Sequence, residues 1–192
     1  MPEEFDIAFL EAHPHVSRIL EEGWILFQEK GFLGASLDVL CQRCQITKPT
    51  LYYYFGDKEH LFVQVLLHQL KGYRRLIEKP APLKEHLEEI ASLFLSSFNV
   101  DQSFLIKDLD HIHHPQNKQK VLEAYQNELY IPVVNLMEDA VRKKELAEGE
   151  PTILAQLFLG MVNAFVARYP IYKHSPEETA CMLVNYFLKA AK

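Results

Sequence analysis

Glycine is scarce in this chain, at 7 of 192 residues, and tryptophan occurs once. With so few glycines there is no phosphate-cradling loop, and no nucleophile–base arrangement for catalysis stands out. No run alternates apolar and polar residues as a half-buried strand would. The three cysteines, Cys41, Cys44 and Cys181, are too few and too unevenly placed for a disulfide framework, which points to a reducing cytoplasm. The N-terminus, MPEEFDIAFLEAHP, is acidic and lacks the basic-then-apolar order of a secretory leader. The most apolar stretch, residues 153–167, is interrupted by Gln156 and Asn163 and followed by Arg168, too short and too polar for a membrane span.

What fills the chain instead is apolar periodicity of helical spacing, bounded by most of the 10 prolines. The fold class read from this is all-α, with an N-terminal helix-turn-helix domain and a larger C-terminal helical domain. A first helix is expected over 15–30, ended by Gly31. Short helices follow at 37–44, with Ser36 as N-cap, and 48–55, with Thr47 as N-cap and Pro49 in the first turn. Asp57 caps a long helix over 57–79, which ends at the break KPAP (79–82). Further helices are expected at 83–99, 102–112, 116–147, 151–169 and 176–190, with a kink at Pro132 and a capping box at Ser175–Glu178. The expected division is 1–56 as the N-terminal arm and helix-turn-helix, 57–79 as linking helix and 80–192 as the larger C-terminal domain.

Formal net charge is −6, which on average disfavours a nucleic-acid partner. The window 30–75, however, holds seven Lys and Arg against three Asp and Glu, a net of +4, which leaves −10 for the remainder. A basic module joined to an acidic body is therefore expected.

Within that window lies TKPTLYYYFGDKEH (47–60). Four consecutive aromatics on a helix point about 100° apart and cannot all face one core. If Leu40, Cys44, Ile46, Leu51 and Tyr54 or Phe55 are inward, then Lys48, Pro49, Thr50, Tyr52 and Tyr53 are left outward. Hydroxyls and ammonium groups so placed suit phosphate oxygens and base edges.

The run from Gly31 to Phe62, GFLGASLDVLCQRCQITKPTLYYYFGDKEHLF, resembles the TetR family of bacterial transcriptional regulators. The resemblance covers residues 14–75 by motif. It implies DNA contacts from Thr47, Lys48, Pro49, Thr50, Tyr52 and Tyr53, and phosphate contacts from Ser36 and Lys58. The turn position that the family usually gives to glycine is Gln45 here, which must take a strained or altered backbone. Cys41 and Cys44 stand where small alanines are usual.

The helices at 151–169 and 176–190 are apolar nearly all round, which calls for burial on more than one side. An intersubunit four-helix bundle in a homodimer meets that need, with Gly160, Ala164, Met182 and Phe187 at the interface. A two-fold dimer would read a near-palindromic operator in double-stranded DNA. The resemblance also implies a small-molecule effector, largely apolar, in a pocket for which Phe94, Phe98, Phe104, Asp108, His111, Tyr125 and Asn163 are candidates. The long helix 57–79 would then transmit effector binding to the DNA-binding heads, with repression the default.

Two other constellations carry less. Asp108, Asp110, His111, His113 and His114 form a metal-type cluster, but no second Cys/His group completes a site, so no metal and no cofactor is expected. Cys41-x-x-Cys44 has redox-motif spacing, yet it sits where the helix-turn-helix needs small side chains. Three readings remain: a ligand-released DNA-binding repressor in the cytoplasm, a regulator of the same fold without an effector, and a metal-dependent helical enzyme built on 108–114.

Overall fold

The computed structural model describes residues 14–98, 107–166 and 174–191. Helices α1 (Pro14–Gly34), α2 (Leu37–Cys44), α3 (Lys48–Phe55), α4 (Lys58–Glu78) and α5 (Leu83–Ser97) come first. A 3-10 turn (Leu109–His111), α6 (Pro115–Tyr125), a π-helical turn (Gln126–Tyr130), α7 (Ile131–Arg142), α8 (Pro151–Val166) and α9 (Pro176–Ala190) follow. No strand occurs among the described residues, and no described helix is long and apolar enough to cross a membrane.

The chain forms two compact units, and their boundary falls inside α4. The first unit takes residues 14–70 and also 107–123; the second takes 71–98 and the described residues from 124 onward. Residues 107–123 thus group with the N-terminal helices, whereas the expected division counted them in the C-terminal domain.

In the first unit, Ile19, Leu20 and Phe27 of α1, Leu40 of α2, Leu51 and Phe55 of α3, and Leu61 and Phe62 of α4 are all at most 2% exposed. Burying each such side chain is worth about 1.5–3 kcal/mol. Phe27 meets the Phe62 ring edge-on at 4.8 Å, and Phe32 lies 5.1 Å from the same ring. The helical period breaks at Gly31, whose φ of 67° and ψ of 172° interrupt α1 where the first helix was expected to end. The break turns the Phe32 amide outward, and it donates to Asp108 Oδ2 at 2.7 Å. A Cβ at position 31 would sit 3.4 Å from that carboxylate.

A second carboxylate joins the same two stretches of chain. Glu59, only 8% exposed on α4, accepts bonds from the His113 amide at 2.9 Å, the His114 amide at 3.1 Å and Asn117 Nδ2 at 2.7 Å. The two backbone amides immediately precede α6, so the carboxylate sits near the positive end of that helix's dipole. Burial alone pushes the Glu59 carboxyl up, but Asn117 and the two backbone amides outweigh it and hold the group below the ordinary glutamate value.

In the second unit, α5 packs most extensively against α9, and α7 against α8. Leu87, Ile90, Ala91, Val133, Met137, Ala155, Phe158, Val162 and Val184 are wholly buried there. The expected capping box closes the start of α9: Ser175 Oγ accepts from the Glu178 amide at 3.1 Å, and the Ser175 amide donates to Glu178 Oε2 at 2.9 Å. The single helix expected over 116–147 is divided by the π-helical turn, and α7 ends at Arg142. Pro132 has no N–H for the ladder, and the wider turn just before it absorbs that loss. The helix expected over 102–112 is, within its described part, a short helical stretch and a 3-10 turn; 102–106 lie outside the described residues.

Replacing Glu59 by Ala strands three donors and is expected to cost about 2–3 kcal/mol, read as a lower urea midpoint. The folded carboxyl titrates below its unfolded counterpart, so its contribution is complete above roughly pH 4.3 and declines as pH falls through the depressed value. Glu59→Gln should flatten that part of the stability–pH curve.

Candidate nucleic-acid interface

The two short helices are set by their caps. At the end of α2, Gln45 adopts the left-handed conformation, φ 58° and ψ 42°. This permits the Ile46 amide to reach Cys41 O at 3.0 Å and the Gln45 amide to reach Gln42 O at 3.2 Å, the paired bonds of a Schellman turn. The conformational stress expected of Gln45 is thus present, and it gives the sharp turn. Thr47 caps α3 as expected, accepting from the Thr50 amide at 3.4 Å, while the two threonine hydroxyls lie 2.9 Å apart. Ser36 occupies the N-cap position of α2 with extended backbone, but its hydroxyl makes no capping bond; its carbonyl takes the Leu40 amide at 3.2 Å. Gly56, at φ 73°, ends α3, and Asp57 Oδ1 accepts the His60 amide at 2.8 Å at the start of α4.

With α3 anchored through Leu51 at 1% and Phe55 at 2% exposed, its other face is solvent-facing. Tyr52 is 46% and Tyr53 79% exposed, while Tyr54 is half-buried with its ring against both Tyr53 and Phe55. Ser36, Thr47, Lys48 and Pro49 are exposed and Thr50 is half-buried. Seven of the eight expected DNA contacts therefore lie on or beside α3 or at the start of α2. Lys58 is the eighth. Its ammonium donates to Leu33 O at 3.2 Å and lies 5.2 Å from the centre of the Phe32 ring, and burial pulls its pKa below the ordinary lysine value. It is engaged at the end of α1 instead of standing free.

The electrostatics depart from the reading of a basic module. Residues 14–70 and 107–123 carry eight Lys and Arg against nine Asp and Glu, a net of −1. The +4 window counted Lys71, Arg74 and Arg75, which belong to the second unit, and omitted Glu21, Glu22 and Glu29 of α1; residues 107–123 bring as many bases as acids. Arg43 donates to Glu29 at 2.8 Å, and Lys48 Nζ lies 2.8 Å from Asp38 Oδ1. Among the residues that sequence reasoning missed, Asp38 lies within reach of the recognition surface, and Glu59 and Asn117 brace the helix behind it. Glu59 stood in the motif itself, but only its three long-range bonds reveal its part.

The cysteines are packing groups. All three are free thiols; Cys41 and Cys44 are buried in α2, and burial pushes the Cys44 thiol up to about 11 and raises Cys41 as well. Such thiols are poor nucleophiles near neutral pH. No group of three or more metal-type side chains converges among the described residues.

Of the expected effector residues, Phe94 and Phe98 are brought together, whereas Asp108 and His111 lie in the other unit. Asp108 and His111 belong to the first unit, one bonded to the Phe32 amide and the other stacked on the Phe32 ring at 6.4 Å. Phe104 lies outside the described residues. Phe94 and Phe98 stack at 5.2 Å in the interior of the second unit, with Phe94 also against Tyr73 at 5.0 Å; Tyr125 stacks on Tyr130. A surface cleft of about 590 Å³ in that unit is lined by Ile77, Pro82, His86, Asn135 and Lys143 among others, and by none of the expected residues. Of the expected interface set, Gly160 and Ala164 are exposed, Met182 is 39% exposed, but Phe187 is buried against Phe158 at 5.4 Å. Phe187 belongs to the monomer's own core, because the heptad-like spacing of α9 turns it toward α8.

A capped pair of short helices that buries one face and projects tyrosines and threonines from the other is a DNA-binding helix-turn-helix. Residues 19–65 match the sequence profile described as bacterial regulatory proteins, tetR family. The HTH-type transcriptional regulator UidR of Escherichia coli strain K12 is 29% identical over 161 residues, 78% of each chain. Two solved structures share the fold. The TetR family regulator PfmR of Thermus thermophilus has a TM-score of 0.73 and 24% identity, over 90% of this chain and 97% of its own. FadR of Bacillus subtilis, in complex with stearoyl-CoA, has a TM-score of 0.69 and 16% identity, over 92% and 99%. Residues 19–65 thus carry the helix-turn-helix segment of the tetR family of bacterial regulatory proteins, and the chain is a DNA-binding transcriptional regulator.

The left-handed Gln45 carries a strain that glycine would not. Gln45→Gly is expected to raise stability by about 0.5–1 kcal/mol, seen as a higher urea midpoint at unchanged slope.

Proposed function

We propose that the chain is a homodimeric repressor that reads a near-palindromic operator through α3 and leaves it when a small, largely apolar effector enters the second unit. The observation that carries the reading is the exposure of Tyr52 and Tyr53 on a helix whose Leu51 and Phe55 are locked inside. An eight-residue helix is about 12 Å long, matched to the width of the major groove. Tyr52, Tyr53 and Thr50 face base edges, while Ser36, Thr47 and Lys48 face phosphates. Lys58 acts on DNA only through the end of α1 that it holds.

Dimerisation rests on α8 and α9. Ile153 at 56%, Leu157 at 59% and Tyr186 at 68% exposed, with Met182 and the exposed Gly160 and Ala164, leave an apolar stripe on each helix uncovered by its own chain. A Cβ at Gly160 would meet nothing within 4 Å, so its own chain does not demand a small residue there. Close approach of a second copy does.

The effector reading draws on the interior of the second unit. Tyr73 is 2% exposed beside Phe94, and its hydroxyl has no hydrogen-bond partner. Leaving such a group unpaired costs about 1–3 kcal/mol, and a guest carrying an acceptor would recover it. Phe94 and Phe98 supply the apolar wall. That FadR was solved with stearoyl-CoA supports a ligand with a long apolar part. The long α4 spans both units and is the element through which the two states would be linked.

Selection of bound duplexes from a random library should yield a half-site repeat with centres about 34–36 Å apart. Tyr53→Ala should weaken binding to the selected operator by about ten- to a hundredfold with a stability change under roughly 0.5 kcal/mol; unchanged affinity would falsify the assignment of α3. Leu157→Lys should convert the dimer to a folded monomer in sedimentation equilibrium, and a dimer persisting at micromolar concentration would count against the α8–α9 interface.

A further inference from the structure

The bases of the helix-turn-helix are not idle. Between Ser36 and Lys58 the chain has three Lys or Arg: Arg43, Lys48 and Lys58. Arg43 donates to Glu29 at 2.8 Å and lies 3.9 Å from Glu22. Lys58 donates inward to Leu33 O. Lys48, the first residue of α3, has its ammonium 2.8 Å from Asp38 Oδ1, and the two side chains are 47% and 72% exposed. Lys48 is therefore the base best placed to reach DNA, and a carboxylate of α2 already occupies it.

A carboxylate and a phosphate oxygen offer an ammonium the same charge-assisted bond. Both members of the pair are in solvent, so the bridge is weak and open to exchange. Asp38 gains little by keeping it, since its place in the first turn of α2 is itself favourable for an acid. We propose that Asp38 competes with DNA phosphate for Lys48 and thereby limits the affinity of the head for duplex DNA of any sequence. In the free protein Lys48 is held by Asp38; on DNA a phosphate displaces the carboxylate, which turns to solvent. Non-specific attraction, which is almost wholly electrostatic, is reduced by this competition, whereas the contacts of Tyr52 and Tyr53 to base edges are untouched. In a head of net charge −1 this competition limits retention on non-operator sequence.

The proposal rests on DNA binding by α3, and a double-mutant cycle separates the two. Binding of a 20-bp duplex of scrambled sequence to the full dimer is measured by fluorescence anisotropy at fixed, stated salt. Asp38→Asn is expected to tighten binding about three- to fivefold, the range of an exposed ion pair. In a Lys48→Met background the same change should alter binding less than about 1.5-fold. An equal gain in both backgrounds overturns the proposal, because Asp38 would then act by repelling phosphate directly. No gain, or a loss, from Asp38→Asn with Lys48 present also overturns it. Thermal melting of each variant, expected within about 2 °C of the unmodified chain, assigns any affinity change to the interface. Should the unmodified chain bind no duplex even at low salt, the DNA reading itself fails.

Discussion

A buried carboxylate organises the DNA-binding unit. Glu59 lies in the interior with three N–H groups converging on it, two from the backbone that opens α6 and one from Asn117. A buried anion is tolerated only when its lone pairs are met. The His113 and His114 amides, just ahead of α6, need acceptors, so each side answers the other's deficit. With Asp108 meeting the Phe32 amide at the break in α1, residues 107–117 are fastened to α1 and α4 at two separate points. Beside that break, the Phe32 ring packs 5.1 Å from the Phe62 ring of α4.

Rigidity of this kind bears on recognition. An eight-residue helix has little stability of its own; α3 keeps its orientation because Leu51 and Phe55 are locked and Thr47 and Gly56 end it sharply. Tyr52 and Tyr53 then project from a fixed helix, Tyr53 with its ring edge-on to Tyr54. A ring that must find its way to a groove loses affinity to ordering, and one already directed outward on a fixed helix loses less.

Charge is disposed differently from what a linear count suggests. The bases of the head are largely engaged within the chain, Arg43 by α1 acids, Lys58 by a carbonyl and Lys48 by Asp38. The surface of α3 thus offers hydroxyls more than free cations. The second unit contrasts with it: apolar stripes on α8 and α9 face outward, while a lone tyrosine hydroxyl faces inward.

Local chemistry decided much of this protein before folding. Caps, proline placement and a 3.6-residue apolar period are properties of neighbouring residues, so the helix-turn-helix boundaries, the outward Tyr52 and Tyr53, the strained Gln45, and the Ser175–Glu178 box were all readable from the chain. Where bonds join distant residues, the reading failed. Asp108 and His111, assigned to an effector pocket, are part of the DNA-binding unit, because Gly31's positive φ turns an amide toward a carboxylate 76 residues away. Phe187 looked like interface and is core, since only the packing of α9 on α8 shows which face is spare. The head's apparent excess of base vanished because α1 brings its acids to the first unit while Lys71, Arg74 and Arg75 fall in the second. Sequence periodicity reports which residues want burial or a cap; which partner they find is a long-range choice that only the tertiary contacts make.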